Sequence, residues 1–210
     1  MANTDIRVAK RAADNDQMVN AMSNEQKDIL TSMGLPPYTE ATRSGAGWAT
    51  MSTSAVAGLV VRPSTTAAFE IHNVTSTNGA SLIIDRLFYF NLVSTNVIES
   101  FSGWAQVTTT KTAPADGSFV VRGSSGQAYG GKVIAAASTT VIASGWFPWT
   151  QAVTKGAGGV VPHGCAVAEV AGRLIVPPGS SLCLHVVSSL VGQTFTQGAS
   201  WYEKVLTIEA

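Results

Sequence analysis

Residues 81–93, which decide the fold, read Ser-Leu-Ile-Ile-Asp-Arg-Leu-Phe-Tyr-Phe-Asn-Leu-Val. β-Branched and aromatic residues are frequent in this stretch, and such residues favour extended backbone. Its apolar character is nearly continuous rather than strictly alternating, which is typical of a strand buried on much of both faces. The sequence therefore predicts a central strand, interrupted only by the neighbouring charges of Asp85 and Arg86.

A second pair of apolar runs flanks a Pro-Pro-Gly sequence near the end of the chain. Leu174-Ile-Val176 precedes Pro177-Pro-Gly179, and Ser181-Leu-Cys-Leu-His-Val-Val187 follows it. Proline presets φ and glycine accepts a positive φ, so these three residues predict a tight turn. We expect the two runs to pair with each other as a β-hairpin.

The pattern of short apolar runs extends outward from these two stretches and begins near Trp48. Runs rich in Val, Ile, Thr, Phe and Trp alternate with clusters of Gly, Pro, Asn and Ser. No helical pattern separates them, so βαβ winding is excluded. The predicted fold class is mainly β, because about ten short strands suit one antiparallel β-sandwich or barrel. The candidate strands are 55–61, 67–74, 81–93, 97–110, 118–122, 132–142, 145–151, 166–176, 181–188 and 199–208.

Residues 1–43 differ from the rest of the chain in charge and in period. They hold eleven of the 26 charged residues, and residues 44–210 hold the other fifteen. Ile6, Met18 and Met22 belong to apolar sets with the three- and four-residue spacing of an amphipathic helix. We expect two short helices within residues 5–33. The sequence thus predicts a helical N-terminal arm and linker over 1–43 and a β-sandwich domain over 44–210.

Composition argues against several classes of function. Lys plus Arg and Asp plus Glu number 13 each, so the chain lacks the basic surplus that phosphate contacts require, and we expect no nucleic-acid partner. No apolar run approaches the roughly 20 residues of a membrane helix, so we expect no membrane partner. Charges recur near Met1 where a secretory signal would be apolar, and we therefore expect synthesis in the cytoplasm.

One Gly-rich stretch approaches a phosphate-binding loop. Gly126-Gln-Ala-Tyr-Gly-Gly131-Lys132-Val133 has the required spacing up to its last position, where Val133 replaces the Ser or Thr that binds Mg²⁺. The residues after it resemble a strand, whereas a phosphate-binding loop opens a helix. A Gly-rich hairpin loop is the better interpretation.

Two Cys and two His form a set with the ligand types of a zinc site. His163 and Cys165 alternate along one strand, and Cys183 and His185 alternate along another, so each pair shares a face. The register of the predicted hairpin keeps the two pairs far apart, which argues against a metal site and against a disulfide. We expect two free thiols and no metal.

The carboxylates of the β region do not suggest acid–base catalysis. No two of them form a local pair, and none has an evident histidine partner. Asp85-Arg86 inside the apolar run 81–93 is better explained as a structural ion pair than as a catalytic one. We therefore expect no catalytic residue, no cofactor and no enzymatic activity.

Aromatic residues are the remaining candidates for a function. Gly145-Trp-Phe-Pro-Trp-Thr150 concentrates three rings, and its proline cannot donate to a β-ladder, which places the stretch at a sheet edge. Such rings can plug a core, stack on sugars or form contacts between subunits. The candidate contact residues are Trp146, Phe147, Trp149, Trp201 and Tyr202 in the β region, with Ile6, Met18 and Met22 in the arm.

The C-terminal residues carry a resemblance to a known group of proteins. Arg173-Leu-Ile-Val-Pro-Pro-Gly-Ser-Ser-Leu-Cys-Leu-His185 and Ala199-Ser-Trp-Tyr-Glu203 resemble virion proteins of tailed phages that have a jelly-roll or tumour-necrosis-factor-like sandwich. The resemblance is close over about 35 residues. The rest of the β region shares only the general pattern of short strands separated by turns. It implies a homotrimer that decorates or cements a capsid, or forms a fibre head, and that is anchored by an N-terminal arm.

We therefore expect a non-enzymatic structural protein of a bacteriophage particle, made in the host cytoplasm and located in the virion. Its partners would be further copies of itself, with a trimer favoured, and other virion proteins such as a major capsid protein. The alternative is a carbohydrate-binding β-sandwich module for receptor or glycan adhesion, in which Trp146, Trp149 and Tyr129 stack on sugars.

Overall fold

The computed structural model describes residues 7–8, 19–20, 41–42, 44–74, 79–93, 98–109, 121–126, 128, 133–136, 139–155 and 164–206. The chain divides into two compact units, Met1–Pro37 and Tyr38–Ala210. The predicted division after residue 43 lies six residues beyond the end of the first unit.

In the first unit, β1 (Arg7–Val8) pairs with β2 (Val19–Asn20) in antiparallel register. These four residues are extended, whereas the apolar spacing predicts helix at the same positions. The rest of the helices predicted within residues 5–33 lies outside the described residues, and so do Ile6, Met18 and Met22. The helical arm therefore stays a prediction.

The second unit consists mainly of antiparallel β-strands, which confirms the prediction of a mainly β fold. One short 3₁₀ turn, η1 (Ala143–Gly145), lies between its ninth and tenth strands. The strands are β3 (Gly47–Met51), β4 (Val56–Ala57), β5 (Thr66–Ala67), β6 (Phe69–Asn73), β7 (Ala80–Val93), β8 (Ile98–Thr108), β9 (Val121–Gly123), β10 (Val133–Ala136), β11 (Thr139–Thr140), β12 (Phe147–Lys155), β13 (Gly164–Val176), β14 (Ser181–Ser188) and β15 (Thr194–Val205).

Most of these strands form two sheets that pack face to face. The first sheet has the order β13-β7-β15-β3-β9, with β4 paired beside β15, and the second sheet has the order β10-β6-β14-β8-β12. A separate two-stranded pair joins β5 and β11. Side chains alternate between the two faces of a strand, so each sheet turns one row of residues toward the other sheet. The result is the β-sandwich that the sequence predicts.

The core lies between the two sheets, and β7 contributes most clearly to it. Leu82, Ile84, Leu87 and Tyr89 of this strand are fully buried there. β7 lies between β13 and β15, which confirms that residues 81–93 form an interior strand. The apolar side chains of its inner face are fully buried, whereas Ile83, Phe88 and Phe90 on the outer face are half-buried. The other large core residues are Phe69, Ile71, Phe101, Leu182, Leu184, Val186, Phe195 and Trp201.

The Pro-Pro-Gly turn connects the two sheets, so the prediction of a hairpin is wrong. β13 before the turn pairs with β7 of the first sheet, and β14 after it pairs with β6 and β8 of the second sheet. Asn73 at the end of β6 holds the turn. Its N–H donates to the Ser180 carbonyl at 2.9 Å, its carbonyl accepts from Gly179 at 2.8 Å, and its side-chain amide donates to the Val176 carbonyl at 3.0 Å. The turn is tight, but its flanking strands find partners elsewhere.

Tyr89 extends from the first sheet to the second and sets the distance between the two sheets at one point. Its ring lies against Gly103 of β8, where an added Cβ atom would collide with the ring. Its hydroxyl donates a hydrogen bond to the Trp104 carbonyl at 3.2 Å. Complete burial raises the pKa of the Tyr89 phenol, so the group remains a neutral donor. The close contact requires a residue without a side chain at position 103.

We predict that Gly103→Ala lowers the free energy of unfolding by about 1–3 kcal/mol, as overpacked core substitutions do. Chemical denaturation followed by tryptophan fluorescence measures the loss. Tyr89→Leu removes the ring that causes the collision, so the double variant should lose less than the sum of the two single variants. Strictly additive losses would contradict the contact.

Candidate functional site

A flap covers one end of the outer face of the second sheet, and it is formed by residues 62–67 and 139–146. Trp146 anchors the flap, because its Nε1 donates to the Ser64 carbonyl at 2.8 Å. The Trp146 carbonyl accepts a hydrogen bond from Arg62 at 3.3 Å. Only 1% of Trp146 is exposed. The flap therefore closes this end of the sheet with a small second core.

His185 of β14 lies beneath the flap on the outer face of the sheet. Its ring meets Trp146 edge to face, with 6.4 Å between the ring centroids, and neighbouring Cys183 packs in the same small core. Its Nδ1 accepts a hydrogen bond from the Val186 N–H at 2.9 Å. Burial lowers the pKa of the His185 imidazole, an effect that exceeds the opposing effect of the Val186 carbonyl. The imidazole is therefore held in its neutral form.

The other end of the same sheet face is open and forms a groove with a volume of about 430 Å³. Strands β8, β12 and β14 contribute to it, together with a residue that precedes the flap. No charged side chain is among the described residues that line it. The lining residues are Val60, Ser100, Phe101, Ser102, Trp104, Pro148, Gln151, Val187, Ser188 and Ser189.

Trp104 closes the groove where the flap begins. Ser100, Ser102 and Trp104 alternate along β8, so all three side chains point to the outer face. The Trp104 indole Nε1 donates to the Ser102 hydroxyl at 2.8 Å, and the ring is half-buried against the small core under the flap. One part of the indole is therefore fixed by the protein, and the other part faces the groove.

Backbone contacts hold the opposite end of the groove. The Ser189 N–H donates to the Ser100 carbonyl at 2.8 Å, and the Ser189 hydroxyl accepts from the Ser100 N–H at 3.1 Å. Gln151 on edge strand β12 is exposed and lies opposite Ser102 in the ladder. Val60 is half exposed on the far side. Paired strands thus contribute most of the groove, and among its described lining residues Val60 and Ser189 lie outside them.

The outer face of the first sheet presents a second surface, which is apolar. Register places Val167 of β13 beside Phe88 of β7, Phe88 beside Gly198 of β15, and Gly198 beside Met51 of β3. Val167 is 43% exposed, and Phe88 and Met51 are half-buried. Apolar contact area thus extends across several strands. We call this surface the apolar face; it consists of Met51, Phe88, Phe90, Leu92 and Val167.

A small ion-pair network lies on the first sheet near the apolar face. The Arg86 guanidinium lies 3.7 Å from Glu169 on the neighbouring strand and 3.7 Å from Asp85. This arrangement agrees with the interpretation of Asp85-Arg86 as a structural pair. Arg86 and Glu169 are largely exposed, so the network contributes little to stability.

The predicted aromatic residues are divided between the interior and the surface. Trp146 and Trp201 are each 1% exposed, so their rings are used inside the chain and offer no contact area to a partner. Trp149 is half-buried against the main core, with the Arg173 guanidinium 5.4 Å above its ring. Phe147 is 65% exposed, and Tyr202 is half-buried. Pro148 lies on edge strand β12, as its missing N–H predicts.

Two residues of the carbohydrate alternative do not form the proposed stacking surface. Trp146 is buried under the flap and Trp149 is covered by Arg173, while Tyr129 lies outside the described residues. Trp104 has no strong signal in the sequence, because its immediate neighbours Gly103 and Ala105 are small. Its role depends on β12 and β14, which are distant in sequence, so no local signal identifies it.

The structure places the two cysteines that the sequence analysis weighed as zinc ligands on different sheets. Cys165 is exposed on β13 of the first sheet, whereas Cys183 is buried under the flap of the second, and neither forms a disulfide. His163 lies outside the described residues. Among the residues that the structure does describe, no group of three or more His, Cys, Asp or Glu could hold a metal ion.

Val133, the last residue of the Gly-rich stretch, begins strand β10 rather than a helix. A phosphate-binding loop needs a helix N-terminus at this point. The hairpin-loop interpretation is wrong as well, because β9 before the stretch pairs with β3 of the first sheet and β10 after it pairs with β6 of the second sheet. Within the described part of the chain, no helix is long and apolar enough to cross a membrane.

Comparison of the chain with family models, with curated proteins and with solved structures gives no match in any of the three. The groove on the second sheet and the apolar face of the first sheet are therefore the two candidate functional sites.

Buried neutral His185 predicts a loss of stability in acid. Its pKa in the folded state lies below the unfolded value of 6.5, so its contribution is complete above pH 6.5. As the pH falls below that value, the unfolded chain binds a proton that the folded chain resists, and the free energy of unfolding decreases. Melting temperatures of the protein and of His185→Gln, compared between pH 8 and pH 5, should show the smaller decrease in the variant. Equal decreases would contradict this role.

Proposed function

We propose that this protein is a non-enzymatic structural component of a bacteriophage particle. Its sandwich domain would assemble as a homotrimer, and its N-terminal arm would attach it to another virion protein such as the major capsid protein. The observation that carries the proposal is the apolar face, a partly exposed sheet surface on a domain that has only fifteen charged residues in 44–210. A surface of that kind is typical of a protein that packs against further copies.

The order of the strands supports a jelly roll as the finer description of the sandwich. If the eight longest strands are ranked along the chain, the first sheet has the order sixth, third, eighth, first. The second sheet has the order second, seventh, fourth, fifth. Each half of the chain thus contributes to both sheets, as in a double Greek key. This order agrees with the resemblance to jelly-roll virion proteins.

Charge and packing both favour a second copy of this chain as the occupant of the apolar face. The chain has no net charge, so copies do not repel each other strongly. The side chains of the apolar face are large and only partly covered, and they come from β13, β7 and β3, with Gly198 of β15 between β7 and β3. Contact with another copy would remove this area from water, which is the main favourable term in stable association. The trimeric state follows from the resemblance.

We predict that Val167→Glu weakens assembly, because it places a charge within the proposed contact. Val167 is already 43% exposed, so the fold should tolerate the change. Size-exclusion chromatography with light scattering over a concentration series should give a trimer for the parent protein and smaller species for the variant.

The matched control for this experiment is Val191→Glu, since Val191 is 72% exposed outside the apolar face. The control should assemble like the parent protein. A monomeric parent protein at micromolar concentration would exclude the proposed assembly. Equal effects of the two substitutions would exclude the apolar face as the contact.

The anchoring role of the arm can be tested by deletion of residues 1–37, the first compact unit. We expect the remaining chain to unfold cooperatively, since both sheets lie within Tyr38–Ala210. We also expect it to lose attachment to particles of the virus that encodes it, measured by co-sedimentation with purified particles. A truncated chain that attaches as well as the full chain would refute the anchoring role.

A further inference from the structure

The groove on the second sheet suggests a binding function that does not require the protein to assemble. We propose that the groove binds a neutral carbohydrate, with one sugar ring against the Trp104 indole and its hydroxyl groups bonded to Ser102 and Gln151. This site differs from the aromatic cluster at residues 145–150, whose tryptophans are occupied within the chain.

The lining of the groove offers matching groups for both kinds of surface that a sugar presents. A pyranose ring has apolar C–H faces and a rim of hydroxyl groups, each of which both donates and accepts hydrogen bonds. Trp104, Val60 and Val187 provide apolar contact area. The Gln151 amide can donate and accept, and the Ser102 hydroxyl keeps one acceptor lone pair beside its bonds to the Trp104 indole and to the Val187 carbonyl at 3.5 Å.

Charge restricts the class of ligand. The described residues that line the groove include no Lys, Arg or His, so an anionic group would lose hydration there without gaining a cationic partner. Phosphorylated, sulfated or sialylated ligands are therefore disfavoured. A neutral glycan has no charged group, so it loses no hydration of a charge when it enters the groove.

The walls of the groove are fixed before any ligand binds. The Trp104 backbone is held from the core side by the Tyr89 hydroxyl at 3.2 Å, and its indole is held by Ser102 at 2.8 Å. At the opposite end, Ser100 and Ser189 are joined by two hydrogen bonds. Binding groups that are fixed in advance lose little conformational entropy on binding, so a shallow site can still be selective.

The size of the groove agrees with a segment of a glycan chain. Its volume of about 430 Å³ falls within the range of small-molecule sites. One side is open to solvent, so the rest of an oligosaccharide can extend beyond it.

A peptide strand added to the edge of β12 is the competing occupant, and the structure disfavours it. Pro148 has no N–H to donate, and the ladder shifts register between Pro148 and Thr150. Both features interrupt the regular edge that strand addition requires. A carbohydrate uses side chains rather than the strand edge and is not affected by the bulge.

The test begins with the full-length protein on an array of neutral and acidic glycans, followed by calorimetric titration of the best neutral oligosaccharide. We expect neutral glycans to bind in preference to acidic ones. Gln151→Ala, at an exposed position, should weaken the measured affinity severalfold. Trp104→Ala should weaken it by about tenfold or more, which corresponds to about 1.4 kcal/mol.

Three controls separate loss of the site from loss of the fold. Trp104→Phe retains a ring for stacking and should keep most of the affinity, and Phe147→Ala removes an exposed ring outside the groove and should change nothing. Circular dichroism checks the fold of each variant. The proposal is overturned if no neutral glycan binds, if acidic glycans or peptides bind better, or if Gln151→Ala and Trp104→Ala bind like the parent protein. Oligomeric state is measured separately, so failure here leaves the assembly proposal open to its own test.

Discussion

The contact between the Tyr89 ring and Gly103 is the constraint on which the rest of the sandwich depends. It lets the two sheets approach at the point where β7 and β8 face each other, and the tyrosine hydroxyl meets the Trp104 carbonyl of the opposite sheet. The same short segment of β8 therefore contributes to the core on one face and to the groove on the other. A change in sheet spacing would move Trp104 and alter the outer surface as well as the interior.

The strands that sequence reasoning locates best are those whose apolar runs are long. Residues 81–93 and 181–188 coincide closely with β7 and β14, because a buried strand needs a long apolar stretch. β3 (Gly47–Met51) is missed, since its mixture of Gly, Ala and Thr has no strong pattern of its own. The hairpin prediction fails for another reason. A tight turn determines the direction of the chain locally, but the choice of pairing partner depends on the edges that distant strands provide.

The candidate site was less predictable than the fold. The sequence draws attention to residues 145–150 because three rings are close together, yet one of these rings is buried under the flap and another is capped by Arg173. The groove combines residues from β8, β12 and β14 with Val60 and Ser189, and each of them is unremarkable in its own context. Burial of polar side chains explains part of the low charge of the domain. Positions such as Thr50, Ser181 and Gln197 are almost fully buried, where an ionised side chain would be costly.

The Pro-Pro-Gly turn also has a consequence for the order of folding. Because it passes from one sheet to the other, β13 and β14 cannot be completed as a local hairpin before the rest of the domain exists. β14 must find β8, which lies far back along the chain, and β15 must find β3 near the start of the domain. Pairings of such large sequence separation require loop closure before they gain stabilising contacts. A newly made chain thus acquires its final sheets late, and only once its C-terminal strands have been synthesised.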